Sequence, residues 1–379
     1  MELPGTRPGK AVVLAACCIA VLIFCGCDGG SGEVRRLVVT ADWLNQSLTL
    51  FDYDQLVDPQ GDADSSIVRT IDLSDWEPGP VEVEMTPDGK TAVVSVGPAF
   101  FDSVPAIVGD PEIAAGGTLL IVDLESGVAD EIETKDVPLG IAISADGATA
   151  YSANYGTSDA RGDSVSVIDI PGRRLIEEVT VGSGPEQVAL SPDGSLGIVN
   201  VTGAGGVRIF QTSDVAGTMS EVVVTGTDPS DVSFLDGSDR AVVANSLSFD
   251  VVLIDTTDPS NPSVVVTAPL GGVGVGAPYG LTYVPSRDAI LAPTNAAGAN
   301  LPTRLVIIDR SGDTLSPGEP AQLPGKNAPL TAAADPEGNF AFVAHIVDHQ
   351  LSIIDLATGE MRAIEWLNKP GPAYVAVQP

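Results

Sequence analysis

The chain has 379 residues, enough to bury one large core or two modest ones. Its 18 basic and 51 acidic residues leave a formal net charge of −33, a field that repels nucleic acid and anionic lipid heads and attracts cations and basic partners. Hydrophobic content of 44% with 41 Gly and 29 Pro, and no long capped helical period, exclude a mainly helical protein and favour strands and turns.

Residues 1–26 read as an export signal rather than as part of the fold. Arg7 and Lys10 precede an apolar run, Ala11 to Phe24, that is short for a membrane span. The run ends Leu22-Ile23-Phe24-Cys25-Gly26-Cys27, which resembles a bacterial lipoprotein signal. That resemblance implies that Cys27 becomes the lipidated first residue of a protein anchored to a membrane on the extracytoplasmic side of a bacterial envelope. A plain secretory signal and an uncleaved anchor are the alternatives. All four cysteines (Cys17, Cys18, Cys25, Cys27) lie here, so the body has neither a disulfide nor a thiolate metal site. Residues 28–34, DGGSGEV, read as a flexible tether. The expected division is therefore 1–26 signal, 27–36 lipidated cysteine and tether, and 37–379 folded domain. Without residues 1–26, which hold Arg7, Lys10 and Glu2, the body keeps 16 basic and 50 acidic residues and a net −34.

From residue 37 onward one pattern recurs. A proline precedes each new apolar strand: Pro80, Pro138, Pro185, Pro229, Pro278, Pro329 and Pro372, spaced 58, 47, 44, 49, 51 and 43 residues apart. Turn pairs follow at Asp88-Gly89, Asp146-Gly147, Asp193-Gly194, Asp236-Gly237, a degenerate Ser286-Arg287, and Glu337-Gly338. A later strand ends in aspartate at Asp52, Asp123, Asp169, Asp255, Asp309 and Asp355, with Gln211 the departure. Each unit holds about four short alternating strands, the mark of a β-propeller blade. The expected fold is all-β: seven four-stranded antiparallel blades, the ring closed by Tyr374 to Val377 joining Leu37 to Thr40, Leu48 to Phe51 and Ile67 to Ile71 in the first blade. Closure of this kind removes an exposed sheet edge.

The segments SPDGSLGIVN, TAYSANYG and SVSVIDI, with Tyr151-Ser152-Ala153-Asn154, Ile198-Val199-Asn200 and Val243-Ala244-Asn245, resemble the YVTN family of β-propeller repeats of bacterial and archaeal cell-surface proteins. Related propellers include lactonases and cofactor or haem domains of oxidoreductases, so the resemblance implies a fold and a setting but no chemistry.

Propeller geometry puts the proline loops and the loops between second and third strands on one face, and the Asp-Gly turns on the other. The longest insertions, 97–117, 155–163, 296–303 and 270–277, belong to the first face, where function is expected. Trp43, Trp76, Phe100, Phe101, Tyr155 and Trp366 are the candidate aromatic patch for a protein or glycan partner, with sealing of gaps between blades as the competing role. Glu82, Gln187, Asp231, Thr331 and Tyr374, just after the prolines, should ring a central channel. Asp42, Asn154, Asn245, Asn295 and His345, ending second strands, are expected near it. Such oxygens could hold Ca²⁺ or another divalent cation, or a small polar ligand, or ordered water.

Other chemistry is thin. His345 and His349 are the only histidines, in HIVDH beside Asp348, and span a strand end rather than one helix face. No Gly-x-Ser-x-Gly elbow occurs. Gly272 to Ala277 approximates a dinucleotide fingerprint but leads into a strand, not a helix. The aspartates from Asp52 to Asp64 lack the EF-hand ligand order, and Arg161-Gly162-Asp163 is too short a match for adhesion. The sequence thus favours a non-catalytic binding or scaffold lipoprotein, with a metal-dependent lactonase-like hydrolase or oxidoreductase-associated propeller as the alternative.

Overall fold

Proline has no N–H to give a ladder, so it suits the first residue of a strand. In a computed structural model, which describes residues 35–98, 117–295, 303–325, 329–366 and 368–379, the proline markers do stand at the entrances of the innermost strands. Pro80–Met85, Pro229–Phe234, Pro329–Ala334 and Pro372–Val377 begin on the proline itself. In blades 3 and 4 pairing starts three residues later, at Ile141–Ile143 and Val188–Leu190.

The strands form seven antiparallel sheets arranged as a β-propeller. Blade 1 is assembled from both chain ends, in the order Ile67–Asp72, Ser47–Asp52, Leu37–Asp42, Pro372–Val377. Its closing register pairs Val38 with Val377, Val39 with Ala376 and Thr40 with Val375, as the repeat pattern requires. Blade 6 departs from the plain form. Its inner strand is split into Ala277–Pro278 and Thr282–Val284, and its outer strand into Thr314–Pro317 and Ala321–Gln322.

Each pair of neighbouring blades shares one apolar seam. Val39, Leu48, Val83 and Leu120 fill the seam between blades 1 and 2, and Val38, Phe51, Phe342 and Ile353 that between blades 7 and 1. Alternation along a strand sends successive side chains into opposite seams, which is why second and third strands read as continuous apolar runs. Transfer of such side chains from water is worth about 1.5–3 kcal/mol each.

The Asp-Gly turns are scaffold. Gly89, Gly147, Gly194 and Gly338 have φ of 67–71°, left-handed values that a side chain would strain. The turn aspartates hold the loop: Asp193 Oδ1 accepts from Ser191 Oγ at 2.6 Å and from the Ser195 N–H at 3.0 Å. These bonds, first of all the one from Ser191, bring the Asp193 carboxyl down to about 2. In blade 6 the degenerate turn becomes a 3-10 turn, Pro285–Arg287, and Asp288 takes the left-handed position. The aspartates of 52–64 also have structural roles. Asp52 and Asp62 cap the short helices Tyr53–Val57 and Ala63–Ser66 by accepting the Gln55 and Ser65 N–H groups.

Both ends of the propeller lie on the face of these turns. Gln378 donates its N–H to the Leu37 carbonyl at 2.9 Å, and Arg36 reaches Glu337 of the blade 7 turn, Nη2 to Oε1, at 2.9 Å. The expected signal segment, Cys27 and most of the tether lie outside the described residues, as do Phe100 and Phe101. Among the described residues no helix is long and apolar enough to cross a membrane.

Candidate functional site

The innermost strands converge on the axis, and the residues just after the prolines close around it. On the proline face, Val81, Leu139, Glu186, Ser230, Tyr279, Leu330 and Ala373 rim a cavity of about 50 Å³, with Glu82, Gln187, Thr331 and Tyr374 below them. Toward the turn face the channel widens to about 250 Å³, lined among others by Glu84, Asp231, Ser233, Thr282, Thr331 and Tyr374. Of the residues expected at the channel, Glu82, Gln187, Asp231, Thr331 and Tyr374 are therefore placed there.

Glu82 and Asp231 have the same local task. The inner strands bulge between Pro80 and Glu82 and between Pro229 and Asp231, which turns these side chains toward the next blade. Glu82 Oε1 accepts the Ile141 N–H at 2.7 Å, and Asp231 Oδ2 accepts the Leu281 N–H at 2.6 Å. In both cases the residue before the donor is glycine, Gly140 or Gly280. A Cβ on Gly280 would stand 2.6 Å from the Leu330 carbonyl oxygen. The second oxygens are engaged as well, Glu82 Oε2 by Gln187 Nε2 at 2.5 Å and Asp231 Oδ1 by the Val232 N–H at 2.7 Å.

Burial dominates the electrostatics. It lifts the Glu82 carboxyl well above its ordinary range, helped by Glu84, and it lifts Glu84 and Asp231 each to about 7. Glu186 is raised well above the usual value by burial and then by Asp228, against the opposing pull of Arg161. The Tyr374 hydroxyl, which donates to Glu84 Oε1 at 3.3 Å, is raised by burial and by Glu82. Glu84 and Asp231, raised toward neutrality, can accept hydrogen bonds or exchange protons.

A divalent ion needs several free oxygens at short range. Glu82 and Asp231 already use theirs, and among the described residues no group of three or more His, Cys, Asp or Glu is gathered to hold a metal ion.

Four residues expected beside the channel are elsewhere. Asp42, Asn154, Asn245 and His345 are fully buried and turned toward the third strand of their own blade. Asp42 Oδ2 accepts from Thr49 Oγ1 at 2.5 Å, Asn154 Nδ2 donates to Ser164 and Ser166 at 2.9 Å, Asn245 Nδ2 donates to Asp250 at 2.8 Å, and His345 Nε2 bonds Ser352 Oγ at 2.8 Å. A short polar side chain ending the second strand meets the start of the third before it can reach the axis. These are latches across the hairpins. Asn200, at the matching position of blade 4, instead accepts the Glu186 and Gln187 N–H groups and donates to the Pro229 carbonyl at 2.6 Å.

Of the candidate aromatic patch, three members are buried. Trp43, Tyr155 and Trp366 are 4%, 3% and 8% exposed. Trp43 and Tyr155 pack beneath the proline face with Val81, Leu139, Leu330, Ile346 and Ala373, and Trp43 Nε1 donates to the Gly97 carbonyl at 3.0 Å. Trp366 meets Phe51 edge-on at 5.2 Å. Trp76 is half-buried over the seam of blades 1 and 2, its Nε1 3.3 Å from Glu131 Oε2. Large rings in loops over a propeller gain more by covering seams than by facing water.

Sequence reasoning missed Glu84, Glu186 and Tyr279. The signal was available: Glu186 and Tyr279 directly follow a marker proline, and Glu84 lies two residues beyond Glu82 on the same side of its strand.

No protein-family model and no curated protein matches the chain. Solved structures do. A Bacteroides uniformis protein provisionally named a 6-phosphogluconolactonase is 16% identical over 91% of this chain and 100% of its own, with a TM-score of 0.68. The periplasmic gluconolactonase of Pseudomonas aeruginosa is 17% identical over 90% and 98%, TM-score 0.67. Hydrazine synthase of Kuenenia stuttgartiensis is 22% identical over 74% and 77%, TM-score 0.57. At these identities the likeness is one of fold.

Proposed function

We propose that this propeller is a non-catalytic binding module of the bacterial cell envelope, lipid-anchored through Cys27, which presents its proline face to a partner. The observation that carries the reading is the separation of the two faces. Arg36 and Gln378, near the two ends of the propeller, both lie on the turn face, which leaves the proline face with its channel mouth as the face free for a partner. The expected channel acids Glu82 and Asp231 support the same view, because their oxygens are committed to neighbouring blades.

A second reading, a lactone hydrolase, draws on the names of two fold neighbours and on one feature of the channel. Glu84, at about 7 beside the Tyr374 hydroxyl in the wider chamber, has the acidity of a general base at neutral pH. Against it, phosphate or carboxylate substrates would meet a strongly negative body, and among the described residues no cationic side chain lines either part of the channel.

The test pairs recovery of partners from envelope extract with assay of gluconolactone hydrolysis, each with and without chelator. Recovery of a partner with no turnover supports the binding module. Turnover that is lost in Glu84→Gln, with no partner recovered, replaces it with the hydrolase.

A further inference from the structure

We propose that the channel mouth on the proline face is a receptor for a lysine side chain of a protein partner, the ammonium held at Glu186 and the methylenes against the aliphatic part of the rim. This names the partner chemistry for the binding reading above and rests on it.

The rim has two halves. Val81, Leu139, Leu330 and Ala373 make an apolar wall, and Glu186, Ser230 and Tyr279 make a polar one, around a cavity of about 50 Å³. An ammonium on a four-carbon stem has the same division between charged tip and apolar body. The space suits one side-chain tip rather than a folded ligand.

Glu186 differs from the other acids of the inner ring. Glu82 and Asp231 each accept two N–H groups, whereas the charged partner of Glu186 is Arg161, at 3.9 Å, beyond hydrogen-bond reach. Arg161 is itself occupied, donating to Thr202 Oγ1 at 2.9 Å and lying over the Tyr155 ring at 4.7 Å. The Glu186 side chain is 14% exposed, and Asp228 and Asp231 add to the negative field around it. A second, independent acceptor borders the same cavity. Thr331 Oγ1 is shut off from solvent and, among the described residues, has no hydrogen-bond partner. An ammonium, with three donors, can serve both. An anion would be repelled, and a hydrated divalent ion finds too few free oxygens. The net charge of the chain steers a basic partner toward the protein.

The experiment is an NMR titration of the full chain with the peptide acetyl-Gly-Lys-Gly-amide, its norleucine analogue and n-butylamine. The lysine peptide is expected to bind, the norleucine peptide not to bind, and butylamine to bind more weakly. Glu186→Gln should weaken the lysine peptide about tenfold or more, the loss of one charge-assisted bond. Glu186→Asp, with its charge withdrawn by one methylene, should fall between and serves if the first variant does not fold. Equal binding of lysine and norleucine peptides, or unchanged affinity in both variants, would overturn the proposal. If wild type and Glu186→Gln recover the same envelope partner while no lysine peptide binds, this inference falls and the binding reading stands. If no partner is recovered and lactone is turned over, that reading falls.

Discussion

Glu82 of blade 2 accepts the backbone N–H of Ile141 in blade 3 at 2.7 Å, across the place where Gly140 has no side chain. Ile141 lies on the innermost strand of blade 3, which has a ladder neighbour on one side only, and the carboxylate supplies an acceptor for its N–H. Glu82→Ala should therefore cost stability, about 1–3 kcal/mol, because it strands the Ile141 N–H and Gln187 Nε2 in a buried site. Gly140→Ala should cost about 1–3 kcal/mol for a different reason. Its methyl would stand 2.5 Å from the Glu186 carbonyl oxygen and collide with Gln187 Oε1. Denaturant melts of both variants check this, and a wild-type midpoint for either would show that the staple does not hold the channel together.

Acidity gives a prediction whose sign runs against habit. Asp42, Glu84 and Asp231 are raised by burial to about 7 from ordinary values of 3.8 or 4.5, and Glu82 and Glu186 are raised too. A group that holds its proton more tightly when folded stabilises the fold fully below its unfolded pKa, and that contribution is lost as pH rises to the folded value. Stability should thus fall between about pH 4 and pH 7. Asp193 and Glu337, lowered to about 2, act oppositely, but only as pH drops below about 4. The melting temperature at pH 5 should exceed that at pH 8 at matched ionic strength, and Asp42→Asn should narrow the gap. Each tenfold change in a group's acidity between folded and unfolded chain corresponds to about 1.4 kcal/mol, so the difference is well within the reach of calorimetry. A higher melting temperature at pH 8 would show these acids to be ionised in the fold.

The repeat made the fold legible because prolines, turn pairs and apolar alternation each recur in step with the blades. Pro80, Pro229, Pro329 and Pro372 begin strands where the pattern put them. The site was half legible. Glu82, Gln187 and Asp231 could be placed by counting from the prolines, since strand direction fixes which residues reach the axis. Asp42 and Asn154 could not, because a side chain at a strand end has two directions open, and the choice depends on Thr49 or on Ser164 and Ser166 across the hairpin. Exposure of the tryptophans was unreadable for a related reason: their loops fold back over seams that no local pattern describes.

Trp366 puts the burial of these rings to the test. It packs edge-on against Phe51 in the seam between blades 7 and 1, at 5.2 Å between ring centres. Trp366→Ala should cost about 3–5 kcal/mol, the usual consequence of emptying a buried aromatic site. Partner recovery at a temperature where the variant remains folded should match wild type. A variant that melts normally but recovers no partner would return Trp366 to the binding surface.

Ring closure places the heaviest demand on the last residues. Pro372–Val377 pairs with Leu37–Asp42 and completes blade 1, burying Ala373, Val375 and Ala376. Removing residues 371–379 opens the inner edge of blade 1, exposes Val38 and Val39, and takes away the Gln378 bonds to Leu37. Each lost strand contact also frees the innermost wall of the channel, because Tyr374 stands between its two parts. The truncated chain should melt far below wild type and, with an unpaired edge, should associate with itself. Val375→Ala, which keeps the strand but leaves a cavity at a 1% exposed site, should lower stability in the same direction by a smaller step. If truncation left the melting temperature unchanged, the ring would have to be closed by some other strand, and the assignment of both ends of the propeller to the turn face would go with it.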